Sequence, residues 1–159
     1  MTIEQPTADR GRVVVGVDGS EGSKRALRWA SFAAGALGTS VEAIIAWGPM
    51  ASYSWGAGGW AAFPTDWNPG ADAEATVLGA LDEVFGEHRP SGLKVSVHEG
   101  NVAKVLLDAS NGAAMLVVGS RGHGGFAGLL LGSVSSACAE HASCPVLVVH
   151  GDTPFPPGI

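Results

Sequence analysis

RVVVGVDGSEGSKRALRWASFAAGALG, residues 12–38, changes period in its middle. Residues 12–18 form a short apolar run closed by an Asp-Gly turn signal, the pattern of a strand buried on both faces in a parallel sheet. From Ser20 onward Ala26, Ala30, Ala33 and Leu37 recur at helical spacing, with Ser20 placed as N-cap and Gly38 as C-terminal stop. A buried strand running straight into a helix is the first part of a βαβ unit, so the next strand should lie parallel to it.

The remaining chain repeats that alternation. SVEAIIAW (40–47) reads as a second strand, and AEATVLGALDEVFGEHR (73–89) as a helix burying Val77, Leu78, Leu81, Val84 and Phe85. LKVSVHE (93–99) alternates as a third strand, VAKVLLDASN (102–111) is a third helix, and AAMLVVGS (113–120) a fourth, continuously apolar strand. SVSSACAEHA (133–142) and CPVLVVH (144–150) complete the series as helix and strand. The expected class is α/β: an open, mostly parallel five-stranded sheet with helices on both faces. Residues 1–11 are expected to be a flexible N-terminus, 12–150 a single domain, and 151–159 an extended arm, because its prolines cannot continue a sheet. Residues 48–70 read as a long loop carrying Trp55, Trp60 and Trp67. It is either a surface insertion or a lid or partner patch. In such sheets ligands sit beyond the carboxyl ends of the strands, where Asp18, Ala46 with Trp47, and Gly119 should converge on one crevice.

Composition narrows the partners. The 159 residues are 46% hydrophobic and 15% charged, with a net charge of −6. That balance speaks against nonspecific nucleic-acid or anionic-lipid binding, which needs a basic footprint. There is no apolar run of about 18 residues for a membrane span, and MTIEQPTADRGR lacks a signal-peptide core, so a cytoplasmic protein is expected. Two cysteines, Cys138 and Cys144, without CxxC or zinc spacing, read as buried thiols, with a redox pair as the alternative.

The stretch GSRGHGGFAGLLLGS (119–133) holds six glycines in its first fourteen positions: Gly119, Gly122, Gly124, Gly125, Gly128 and Gly132. Glycine costs chain entropy, so such clustering marks tight turns or a ligand close to the backbone. Strand, glycine loop and a helix opening at Ser133, read as serine-capped, make a phosphate site. The competing reading is that the glycines serve turn geometry and packing alone. It is neither GxxxxGK[ST] nor GxGxxG, so the kinase-like and dehydrogenase-like readings lose their support. Arg121 and His123 are the nearby candidates for positive charge.

Gly119-x2-Gly122-x9-Gly132-Ser133 resembles the G-x2-G-x9-G-[ST] pattern of the ATP-binding branch of the universal stress protein family. VVVGVDGSEGSKRALRWA and HASCPVLVVH look like that family's first strand plus helix and its last strand, so the resemblance covers about residues 12–150. It implies a Rossmann-like fold of the adenine nucleotide alpha hydrolase-like type. It further implies that Asp18 holds the adenine and ribose end, that Ala46 offers backbone groups to the adenine edge, and that Gly119 lies by the ribose. Gly122, Gly132 and Ser133 would line the phosphates, with Val134 and Ser135 beside them. A divalent ion, Mg²⁺, would bridge the phosphates of ATP; cyclic AMP is the alternative nucleotide. One departure is Gly100-Asn101-Val102-Ala103, where the family often carries G-x-P-A, so Val102 replaces the residue that would stiffen the helix entry.

Three functions stay open on the sequence. The first is an adenine-nucleotide-binding stress regulator that changes shape or partners on binding. The second is a slow ATPase, for which the loop supplies no clear base beyond His123. The third is a nucleotide-free interaction module. The apolar last strand, Val146 to His150, reads as a sheet edge that a second copy would cover, as the resemblance also implies, so a homodimer is expected.

Overall fold

The structure is a computed structural model, and it describes residues 11–48, 66–121 and 131–158. Five strands alternate with four helices: β1 (Val13–Gly16), α1 (Glu21–Leu37), β2 (Val41–Trp47), α2 (Pro69–Phe85), β3 (Lys94–Glu99), α3 (Val102–Ser110), β4 (Met115–Gly119), α4 (Ser133–His141) and β5 (Val146–Val149). All neighbouring strands pair in parallel in the order β3-β2-β1-β4-β5. The order reverses between β1 and β4: the chain first winds outward to β3 and then returns past β1 to build β4 and β5. A crevice therefore opens beyond the carboxyl ends of β1 and β4.

The continuous apolar strands are explained by two cores. Val13, Val15 and Val17 face α1 and α2, packing with Ala26, Leu27, Ala30, Val77 and Leu81. Val14 points the other way, into a cluster with Ile44, Leu106 of α3, Leu116, Val118 and Cys138 of α4. Small residues on α1 let that helix lie close over the sheet: Ala26 and Ala30 are fully buried. Its ends are those the sequence marks, with the Ser20 side chain accepting from the Ser23 amide and Gly38 in the left-handed region at φ 66°.

Helix α2 departs from its expected span. It starts at Pro69, four residues earlier than the periodicity predicts, and stops at Phe85. Proline and glycine at 69 and 70 read as breakers, yet Asn68 caps the helix by accepting from Ala71 N at 3.1 Å, and proline suits the first helical position because it has no amide to satisfy. At the other end Gly86 leaves helical geometry at φ 55°. The long connection expected at 48–70 is thus shortened from its far side, and Trp67 donates its indole N–H to Asp72 at 2.7 Å beside the new helix start. Trp55 and Trp60 lie outside the described residues.

One buried charge interrupts β2. Glu42 is 4% exposed. Its carboxylate accepts from Ser96 Oγ at 2.6 Å, pairs with the Arg12 guanidinium and has Lys94 Nζ at 3.4 Å. Burial alone would push its pKa up, but the bonds from Ser96 and Arg12 and the two cationic charges outweigh it and hold the carboxyl below the usual range. It ties the amino-terminal ends of β1, β2 and β3 together.

β5 stands at one edge of the sheet, as expected, and β3 at the other. After β5 the chain turns, with Thr153 N donating to His150 O at 3.0 Å, and the arm folds back on α1. There the Trp29 indole donates to Pro154 O at 3.0 Å and Arg25 donates to Thr153 O. Among the described residues no helix is long and apolar enough to cross a membrane.

Candidate functional site

The crevice is built from the turn after β1. Gly19 takes φ 82°, which folds the chain back so that Ser20 N donates to Asp18 Oδ1 at 2.9 Å and the Ser20 hydroxyl donates to the same oxygen. The Ser20 oxygen in turn accepts from Ser23 N at 3.2 Å, while Ser23 Oγ donates to Ser20 O at 3.0 Å and accepts from Asp18 N at 3.3 Å. Asp18 is therefore locked at the mouth of the crevice by the same hydrogen bonds that start α1. One carboxylate oxygen closes the Asx turn and also holds the hydroxyl that caps the helix.

Gly119 closes the other side. A Cβ built there would lie 2.9 Å from Gly22 C, 3.0 Å from Gly22 O and 3.3 Å from Ser23 N, closer than side-chain carbons approach backbone. A Cβ on Gly22 would reciprocally lie 3.0 Å from Arg121 O. The end of β4 and the first turn of α1 thus touch backbone to backbone: a side chain at 119 forces the backbone apart, and one at 22 would press on the Arg121 carbonyl. Sequence reading missed Gly22. A glycine in the first turn of an otherwise well-formed helix carries an entropic cost, and that cost was the available signal of a close approach.

Beyond Gly119 the two ends of the glycine loop are stapled to each other. Gly132 N donates to Ser120 O at 2.7 Å, and Ser120 N donates to Val149 O at 2.9 Å, so the two ends of the loop meet at one point just past the carboxyl end of β4. Ser135, 3% exposed, lies with its hydroxyl 2.9 Å from Ser120 O and 3.1 Å from Gly132 O. Its side chain is committed to holding the loop shut.

The helix that follows is not serine-capped. Gly132 is the N-cap of α4, with no side-chain cap, and Ser133 is the exposed first helical residue. The expectation fails because the N-cap falls one residue before the serine, at Gly132, whose backbone amide donates to Ser120 O. The first turn of α4 accordingly starts without a side-chain acceptor, the arrangement that favours an anion at a helix start. Val134 is half-buried against the Val14 and Leu106 core.

Asp18, Gly119, Gly132, Ser133, Val134 and Ser135 all fall at the carboxyl ends of β1 and β4 or at the start of α4. Ala46 lies at the carboxyl end of β2, in register with His98 of β3, one strand away from Asp18. Gly122 and His123 lie outside the described residues. Arg121 is exposed at the loop's entry. On the α1 side of β4 and β5 a cleft of about 390 Å³ is lined by Gly22, Ser120, Arg121, His150, Gly151 and Asp152.

Other chemistry has less footing. Among the described residues no group of three or more His, Cys, Asp or Glu side chains could hold a metal ion. Burial pushes the Cys138 thiol up to about 11, with the Cys144 thiol adding to it, and burial raises Cys144 as well. Both are protonated at neutral pH, which removes the thiolate that exchange chemistry needs.

The model of the universal stress protein family matches residues 10–150. The chain belongs to the universal stress protein family. A universal stress protein of Mycolicibacterium smegmatis is 34% identical over 142 residues, covering 88% of this chain and 48% of its own length. The chain thus spans about half the length of the curated relatives it matches. Among solved structures, UspA from Lactobacillus plantarum superposes with a TM-score of 0.66 at 19% identity, over 90% of this chain and 99% of that one. A universal stress protein in complex with cAMP superposes with a TM-score of 0.58 at 26% identity, over 91% of this chain and 100% of that one. The Rossmann-like fold expected from the sequence is the fold of these family members.

Proposed function

We propose that this domain binds an adenine nucleotide at the β1–β4 crevice, ATP with Mg²⁺ foremost, and works as a stress-response regulator whose shape or partners change with occupancy. The observation that carries the reading is the stapled glycine loop: Gly132 N on Ser120 O brings a glycine-rich segment and an uncapped helix start together at the topological switch point. The cAMP complex of a relative supports the choice of an adenine nucleotide.

In this reading Asp18 receives the ribose or adenine end, held ready by Ser20, and Ala46 meets the adenine edge with its backbone. Gly119 lies by the ribose. Gly122, Gly132 and Ser133 surround the phosphates, and Val134 and Ser135 support them from α4. Mg²⁺ would arrive on the phosphates, since the described residues offer no cage of their own and this ion commonly binds through few protein ligands. Cyclic AMP is the competing nucleotide. A second copy of the domain covers the β5 edge, giving a homodimer.

The test is to denature freshly purified protein and identify released nucleotide by chromatography, alongside Gly122→Val and Ser133→Ala. Wild type should release ATP, Gly122→Val none, and Ser133→Ala less. Absence of nucleotide with no uptake of added Mg-ATP would overturn the reading in favour of a pure interaction module. ATP turnover above a no-protein control would make the domain a slow ATPase instead.

A further inference from the structure

Five of the chain's nine lysines and arginines pair with carboxylates among the described residues. Arg12, Lys24, Arg89, Lys94 and Lys104 each lie in an ion pair with a carboxylate. Arg25 and Arg28 differ: among the described residues neither has a carboxylate within ion-pair distance. Both guanidiniums are instead held against one ring, with Cζ of Arg25 4.7 Å and Cζ of Arg28 4.9 Å from the centroid of Phe155. The arm fixes that ring by the bonds from Arg25 to Thr153 O and from Trp29 to Pro154 O, and Pro156 is buried beside it.

Two like charges three residues apart on a helix repel, and an aromatic face offsets only part of that. A group with several anionic oxygens would remove the repulsion and accept forked, charge-assisted bonds from both guanidiniums, whose planes the ring already orders. Space for it exists. A recess of about 120 Å³ is lined by Glu21, Lys24, Arg25, Arg28, Glu83, Val84 and Phe155. Its two carboxylates are engaged by Lys24, at 3.1 Å from Glu21 and 2.5 Å from Glu83. Three cations against two carboxylates leave one net positive charge there, on a chain of net charge −6.

We propose that the recess formed by Arg25, Arg28 and Phe155 is an oxyanion site for a phosphoryl group, separate from the glycine loop and filled independently of it. The phosphoryl group comes either from a free small phosphate or from a phosphorylated side chain of a partner protein. The arm is part of the site, because the Phe155 ring that it carries is the group both guanidiniums pack against.

The test follows the side-chain Nε–Hε resonances of Arg25 and Arg28 in the ¹⁵N-labelled full chain, each assigned by its loss in Arg25→Gln or Arg28→Gln. Inorganic phosphate, pyrophosphate and a short phosphoserine peptide are titrated at physiological ionic strength. Saturable shifts of both resonances are expected, weakened about tenfold by either single Gln substitution, the equivalent of about 1.4 kcal/mol. Gly122→Val should leave them unchanged. Phe155→Leu keeps both charges and loses the ring, so weakened binding is expected there too, which decides the matter should an Arg variant fail to fold. Tighter binding of the peptide than of free phosphate would assign the source to a partner's side chain, and the reverse order to a free phosphate. Shifts that never saturate, or that vanish in Gly122→Val, would overturn the proposal.

Discussion

Replacing Gly119 by alanine tests the joint that sets the crevice. Gly119 is not among the glycines with positive φ, so alanine is not strained by backbone conformation and the effect is one of contact. The new methyl would sit 2.9–3.3 Å from three backbone atoms of Gly22 and Ser23, against ordinary contact from 3.4 Å, so something must give by up to about half an ångström. A rotamer change cannot relieve it, because the opposing atoms are backbone of a turn anchored by Ser20, Ser23 and Asp18. Nor can α1 lift freely, since Ala26, Leu27 and Ala30 are fully buried beneath it. Overpacking of this kind costs roughly 1–3 kcal/mol. A value of about 2 kcal/mol lowers Tm by about 4–8 °C in a chain of this size. The matched control is Gly35→Ala on the same helix, where an added Cβ meets nothing within 4 Å. That change should stabilise by about 0.5–1 kcal/mol through helix propensity alone. Urea unfolding followed by far-ultraviolet circular dichroism should therefore separate the two variants by about 3 kcal/mol, adding the two effects. Gly119→Ala equal to wild type within error would refute the backbone contact between β4 and α1.

Ser20→Ala removes the cap of α1 and the donor to Asp18 together, so a loss of about 1 kcal/mol is expected in urea midpoints, with wild-type m-value. Glu42 has its folded pKa lowered, so it stabilises the fold above the ordinary Glu value of about 4.3 and loses that contribution as pH falls through the folded value. Glu42→Gln should flatten this acid limb of the stability-versus-pH curve while lowering stability at pH 7; an unchanged acid limb would contradict the assignment. The thiol of Cys138, raised to about 11, works in the opposite direction. Stability should fall from about pH 8.5, where an unfolded thiol ionises, toward pH 11, and Cys138→Ala should reduce the slope, leaving the part due to Cys144. In the folded protein at pH 8, a thiol reagent should spare Cys138 and label it only after denaturant is added.

Much of the sheet was legible because its strands are short apolar runs and its helices have a clear period. Where the pattern was weak, local chemistry decided. Pro69 and Gly70 look like a loop, yet a proline at a helix start and an asparagine before it are both helix-entry signals, and here they coincide. The site was legible as a motif and less so as geometry. Spacing alone marks Gly119, Gly132 and Ser133, but not that Gly119 is demanded by Gly22, nor that Ser135 turns inward to the carbonyls of Ser120 and Gly132. The first depends on a contact between segments 97 residues apart in the chain, and the second on how the loop between Ser120 and Gly132 closes on itself. Glu42 escaped notice for the same reason: a lone carboxylate in an apolar strand makes sense only once Arg12, Lys94 and Ser96 arrive from neighbouring strands.

Gly119 also shows why motif glycines need separate tests. Its packing role is complete without any ligand, so loss of nucleotide in Gly119→Ala would not distinguish a blocked ribose from a displaced α1, which carries Ser20 and hence Asp18. Ser133 gives the cleaner contrast. It is exposed, makes no cap of its own and lies clear of the Ser120–Gly132–Ser135 staple. Ser133→Ala should therefore leave Tm within about 2 °C of wild type, as expected for a surface change of under about 0.5 kcal/mol. If it also lowers nucleotide content, the serine acts through the ligand. A variant with reduced Tm and reduced nucleotide together would instead assign Ser133 to the frame of the loop, and the phosphate contacts would have to come from backbone alone.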